Sequence, residues 1–291
     1  MRRITTALAA GVLLLAGVAA AAELTELKVC SDPDNLPYSN ERREGFENKI
    51  AEIIAKDLGL PLTHYWWPHQ RGLVRNTLRA GTCDVLIEIP KGYDLVTWTK
   101  AYYRSAYVLA YPTDKGLKIS SLDDPALRQV KRIGVHMSTP PYDVLGDRGL
   151  QDNVVTYMTM FDHRDPDLSR RPTRLLEDLV AGKVDVAIAW GPLVGYFAKV
   201  AQKNGGPALT LVTLQDDKVI PMTFEMSMGV KKGEQELKAK LEQALDRHQP
   251  EIRQVLEDYG VPLLPLKPPR AGPPPGAGSP SAPPGGGPPK P

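Results

Sequence analysis

The phrase Leu-Arg-Ala-Gly-Thr-Cys-Asp-Val-Leu-Ile at 78–87 returns as Leu-Val-Ala-Gly-Lys-Val-Asp-Val-Ala-Ile at 179–188, 101 residues later. Each copy predicts a helix stopped at Gly81 or Gly182, because glycine takes the left-handed C-terminal position without steric cost. An apolar run of buried-strand type follows, opening at Asp84 or Asp185. A short apolar strand precedes each unit, at 27–30 and at 132–135. The pattern predicts two similar α/β lobes, each a parallel sheet flanked by helices and joined to the other by a two-strand hinge. Ligands are expected where loops leave the carboxyl ends of the strands and meet across a cleft.

The remaining elements follow from periodicity. A helix is expected from Gly45 to Leu58, with Phe46, Ile50, Ile53, Ile54 and Leu58 on one face and Gly59 closing it. Strands at 61–67 and 83–89 flank a helix at about 70–80, and the β-rich run 102–111 suits a crossing between lobes. The second lobe should hold helices near 121–128, 140–149 and 173–181 and strands at 132–136, 154–157 and 184–189. A helix should follow Pro192. The chain then returns through 222–230 to two closing helices, 234–247 and 249–259. The first lobe is therefore expected at 23–115 and 218–262, and the second at 116–217.

The two ends read differently. Residues 1–22 carry Arg2-Arg3, an apolar stretch from Ile4 to Val18 and the small run Ala19-Ala20-Ala21-Ala22, which is the layout of a cleaved secretory signal and implies export to the periplasm. Without Arg2 and Arg3 the formal charge of +2 falls to zero, and the remaining charges are interspersed. Such a surface offers no footprint for nucleic acid and little pull towards anionic lipid, and no later apolar run is long enough to insert in a membrane. Residues 263–291 are expected to be a solvated tail, because 265–291 holds twelve prolines and six glycines and can bury little apolar area.

Chemistry-bearing residues are sparse. His64, His69, His136, His163 and His248 stand singly, without the spacing of a metal or haem site, so neither metal nor cofactor is expected. Cys30 and Cys83 fall beside strands that would neighbour each other, in an oxidising compartment. They are read either as a disulfide or as two buried thiols out of bonding reach.

Several phrases together resemble a known family. They are Ser-Asp-Pro-Asp-Asn-Leu-Pro-Tyr-Ser-Asn at 31–40, Glu-Gly-Phe-Glu-Asn-Lys-Ile-Ala at 44–51, and Trp-Trp-Pro-His-Gln-Arg-Gly-Leu-Val-Arg-Asn-Thr-Leu at 66–78. Gly-Tyr-Asp at 92–94 and Tyr-Tyr-Arg-Ser at 102–105 complete the set. Over 24–262 the chain resembles type II periplasmic solute-binding proteins, and within them the XoxJ/MxaJ family that accompanies quinoprotein methanol dehydrogenase. The resemblance implies a non-catalytic periplasmic accessory protein whose partner is that dehydrogenase, with its cytochrome c as a second candidate. The lanthanide-enzyme version is preferred over the calcium-enzyme one. It requires neither pyrroloquinoline quinone nor a metal on this chain.

Against the amino-acid binders of the same superfamily, two ionic grips are missing. No arginine occurs between Arg79 and Arg104, where a guanidinium fork would clamp a ligand carboxylate, and Ala189-Trp190-Gly191-Pro192 puts an indole where an acid would meet an ammonium. The expected cleft is therefore aromatic, drawing on Trp190, Tyr93, Trp66, Trp67 and Trp98, with Asp32, Tyr38, Arg71 and Glu88 at strand ends and Arg71 able to pair with Glu88. Such a cleft suits a peptide segment or exposed surface of the dehydrogenase. The alternatives are an importer's substrate-binding protein for an atypical small molecule and an enzyme such as a small-acid dehydratase. Catalysis ranks lowest, because no acid–base or nucleophile phrase is present.

Overall fold

The computed structural model describes residues 24–268. The expected signal at 1–22 and residues 269–291 of the expected tail lie outside them.

The chain opens with β1 (Leu27–Ser31), the short β2 (Asp34–Asn35) and β3 (Ser39–Asn40), α1 (Phe46–Leu58) and β4 (Leu62–Trp66). Then come α2 (Leu73–Asn76), β5 (Val85–Pro90), β6 (Thr97–Trp98) and β7 (Tyr103–Pro112). The second half holds β8 (Ile133–His136), α3 (Pro140–Asp147), β9 (Val154–Tyr157), α4 (Arg174–Val180), β10 (Val186–Trp190), α5 (Gly191–Lys203) and β11 (Leu209–Thr213). It closes with β12 (Thr223–Val230), α6 (Gln235–Arg247) and α7 (Gln249–Asp258).

Gly81 and Gly182 are both left-handed, at φ 71° and 69°, and β5 and β10 follow them, but only α4 runs up to its glycine, since α2 already ends at Asn76. β1 pairs parallel with β4 and β5 in the first lobe, and β8 pairs parallel with β9 and β10 in the second. The lobes are not purely parallel, however. β12 runs antiparallel to β5, β6 and β7, and β7 runs antiparallel to β10 and β11. The cause is β7, one long strand that serves both lobes. Tyr103–Ala106 pairs with β12, and from Tyr107 onward the strand pairs with β10 and β11, so a single path β4-β1-β5-β12-β7-β10-β8-β9 runs through the molecule.

Burial follows the periods. α1 buries Phe46, Ile50 and Ile54 on Val85 and Ile87 of β5 and on Leu241 of α6, while Gly59 ends it in the left-handed conformation. Each such side chain contributes about 1.5–3 kcal/mol on leaving water. In β10, Val186 and Ile188 face one core and Ala187 and Ala189 the other, the period-two signature of a strand covered on both sides.

Three expected elements differ. The helix placed at 70–80 shrinks to Leu73–Asn76, because Gly72 delays its start at φ +92° and the Thr77 hydroxyl folds back onto the Leu73 carbonyl at 2.7 Å. The helix near 121–128 is a 3₁₀ turn, Pro125–Gln129, capped by Asp124. The tail does not begin at 263. Pro262 O accepts from Ser105 Oγ at 2.7 Å, Leu264 N donates to Arg104 O at 2.8 Å, and Lys267 N donates to Glu225 Oε1 at 2.9 Å. Prolines lack a donor, but their carbonyls still bond to the crossing strands.

That C-terminal segment also meets the second lobe. A Cβ on Gly195 of α5 would stand 1.9 Å from Gly260 O, so only glycine allows this approach. Beside it, Lys199 Nζ donates to the Glu257 and Asp258 carbonyls at the end of α7, both at 3.0 Å.

Candidate functional site

The site is built from the carboxyl ends of β1, β4 and β5. After β1, Asp32 is gripped by the backbone: Oδ1 accepts from Asp34 N at 2.9 Å and Oδ2 from His69 N at 2.5 Å. The loop then turns into α1 at Gly45, where a Cβ would lie 2.0 Å from Tyr38 O. Asn48 Oδ1 accepts from Gly45 N at 3.1 Å and Asn40 N at 3.2 Å, locking the start of the helix. This fixes Glu47 in the first turn, facing the same space as Glu88 of β5.

That space is a cavity of about 680 Å³. Asp32, Glu47 and Glu88 lie on its lining, as do Trp67, Tyr93 and Leu95. Arg71, Arg75 and Arg79 reach it from the segment after β4, and Met160 reaches it from the second lobe. Across the gap, Arg171 of the second lobe binds Asp34 of the first at 2.7 Å, with its guanidinium carbon 5.4 Å from the centre of the Phe161 ring.

Electrostatics divide this lining. Burial pushes the Glu47 and Glu88 carboxyls up, Glu88 to about 7, and the charge of Glu88 further disfavours ionisation of Glu47. The Tyr103 hydroxyl and Trp190 indole face Glu88 and pull it partly back, yet Glu88 Oε2 and Tyr103 Oη are both buried without a hydrogen-bond partner. Asp32 is also raised by burial, with its two backbone donors opposing.

Of the residues expected at the site, Asp32, Arg71, Glu88, Trp67 and Tyr93 share this cavity. Four others do not. Tyr38 packs on Phe46 at 5.4 Å in the first core. Trp66 stacks on His64 at 4.8 Å, whereas Trp67, one residue on, lines the cavity. Trp98 sits in β6 against Gly229 of β12. Trp190 is off the lining, its indole directed at Glu88 and its ring in an edge-to-face cluster with Tyr107, at 5.3 Å, and Phe224, at 5.9 Å. Among the described residues no ion pair joins Arg71 to Glu88. Cys30, which also lines the cavity, is bonded to Cys83, with Cα atoms 5.4 Å apart.

The expected indole-rich groove is therefore corrected to a charged cavity with an aromatic side. Glu47, Arg75, Arg79 and Met160 went unforeseen. Glu47 had a signal, since it opens the helix after the first strand-end loop, where α/β proteins gather ligands. Met160 had none, because it arrives from the other lobe. Among the described residues no helix is long and apolar enough to cross a membrane, and no group of three or more His, Cys, Asp and Glu side chains is placed to hold a metal ion.

Residues 89–261 match the bacterial extracellular solute-binding protein family. Protein MoxJ of Methylorubrum extorquens AM1 is 31% identical over 262 residues, 86% of each chain. The chain belongs to the MxaJ/XoxJ family of these solute-binding proteins. The crystal structure of the periplasmic binding protein XoxJ from Methylobacterium extorquens AM1 is 36% identical, with a TM-score of 0.67, covering 82% of this chain and all of that one. MxaJ from Methlophaga aminisulfidivorans is 30% identical, with a TM-score of 0.70 over the same shares. An ancestral cationic amino acid binding protein, 18% identical at a TM-score of 0.63, shares the fold alone. The fold common to these proteins is the two-lobed type II periplasmic binding protein.

Proposed function

We propose that this chain is a non-catalytic periplasmic accessory protein of a quinoprotein methanol dehydrogenase, binding a peptide segment or surface of that enzyme at the cleft and aiding its activation or maturation. The observation that carries the reading is the wide cavity whose rim is exposed and apolar: Tyr93, Leu95 and Met160 are each at least 40% exposed and all face it. Exposed aromatic and apolar groups around a concave site fit a macromolecular client better than full enclosure of a small solute. Family membership supports the same reading. The importer-type alternative is favoured by one feature, the carboxylates and arginines gathered on a single cavity.

The deciding experiment mixes the intact mature chain with purified quinoprotein methanol dehydrogenase and follows co-migration on size exclusion and enzyme activity. A complex, or higher activity, is expected with the natural chain, and Leu95→Asp should weaken it at least tenfold. No complex and no change in activity at micromolar protein would overturn the reading.

A further inference from the structure

Glu47 and Glu88 present two carboxyl groups to one cavity, and among the described residues no cation is ion-paired to either. Arg71, Arg75 and Arg79 line the same cavity, but none is ion-paired to either glutamate. Arg171 of the other lobe is held by Asp34 and Phe161. His69 gives its backbone N–H to Asp32. Buried carboxylates are ordinarily met by a cation or by several donors, because removing their hydration is otherwise costly. Behind them Tyr103 is only 3% exposed, and its hydroxyl is directed at Glu88 without closing to hydrogen-bond geometry with it or with any other group among the described residues. Trp67 adds an aromatic wall whose indole N–H is likewise buried and unpaired.

Carboxylates at the floor, a phenol beside them and aromatic walls together make a receptor for an ammonium or guanidinium group, which carboxylates bond strongly and ring faces attract. From this arrangement we infer that Glu47 and Glu88 form the anchor for a cationic end group, a lysine or arginine side chain or an amino terminus, of the segment that enters the cavity. The inference rests on the accessory-protein reading and names the chemistry of its client. One positive group satisfies one carboxylate's charge while the other retains its proton. The exposed arginines stay hydrated and leave the floor acidic, since solvent screens them.

The test uses the full mature chain and two small probes of similar size, n-butylammonium and n-butanol, titrated at pH 7.5 with heteronuclear NMR. Saturable shifts at Glu47, Glu88 and Trp67 are expected for the ammonium, with at least tenfold tighter binding than the alcohol. Glu47→Gln and Glu88→Gln should each lose most of that preference while melting no lower than the natural chain. Equal binding of both probes, or an unchanged preference in both variants, would overturn the anchor. Co-migration of the natural chain with the dehydrogenase is scored separately, so a client held without a cationic anchor and a missing client give different results.

Discussion

Asp178 and Glu88 are both carboxylates withdrawn from solvent, one in each lobe, and they have opposite fates. Asp178, 9% exposed, meets Arg174 at 3.0 Å, Lys183 at 3.2 Å and the Tyr157 hydroxyl at 3.1 Å, and these partners hold its carboxyl below the usual aspartate value although burial pushes the other way. Burial prevails at Glu88, which has no cationic partner among the described residues and only the Tyr103 hydroxyl and Trp190 indole to oppose it. Burial alone therefore does not decide a carboxylate's state; the donors around it do. A satisfied carboxylate helps hold α4 to its lobe, while an unsatisfied one on a cavity is available to something that comes from outside.

The sharpest way to break this contrast is to delete the satisfied group. Asp178→Ala strips a partner from Arg174, Lys183 and Tyr157 together and should cost about 2–3 kcal/mol in urea unfolding. A cost below about 0.5 kcal/mol would mean that the network is ornamental and the two lobes do not differ.

Glu88→Gln should act with the opposite sign and only at higher pH. The folded chain keeps the Glu88 proton up to about pH 7, whereas an unfolded glutamate loses it near 4.5. The native state thus binds more protons across that window, and stability falls as pH rises through it. At pH 8 the variant should be more stable than the natural chain by about 1–2 kcal/mol, with the gain vanishing by pH 4. Parallel stability–pH curves for the two proteins would contradict the unpartnered state of Glu88.

The smallest effect is expected where charges meet across the cleft in water. Arg171→Ala removes the contact with Asp34, whose side chains are 40% and 43% exposed, and should cost less than about 1 kcal/mol, shrinking further in high salt. A larger loss, insensitive to salt, would make this contact a structural tie and not a light latch.

How far the sequence reads depends on the range of the interaction. The left-handed glycines before β5 and β10, the apolar stripe of α1 and the two-sided burial of β10 are local or periodic, so they can be seen in the residues themselves. The truncation of α2 was hidden because it turns on Gly72 and on one hydroxyl folding back, beneath a pattern that still looks helical. Trp66 and Trp67 were indistinguishable as letters, although the alternation of a strand sends one to His64 and the other to the cavity. Trp190 read as a cleft residue because it stands where amino-acid binders place an acid, yet its ring packs edge-to-face on Tyr107 and Phe224 from two other strands.

Two glycine-punctuated α/β units and their order along the chain were legible in the residues alone, because short-range periodicity and turn chemistry carry that information, while the family was legible in a few specific phrases. Distant packing placed Glu47 and Glu88 on one cavity without an ion-pair partner among the described residues, and brought Met160 to it from the opposite lobe. It also decided that residues 262–267 dock along the crossing strands. Those outcomes depend on which distant groups arrive within a few ångströms of one another, and the energy of a buried charge is set at that distance.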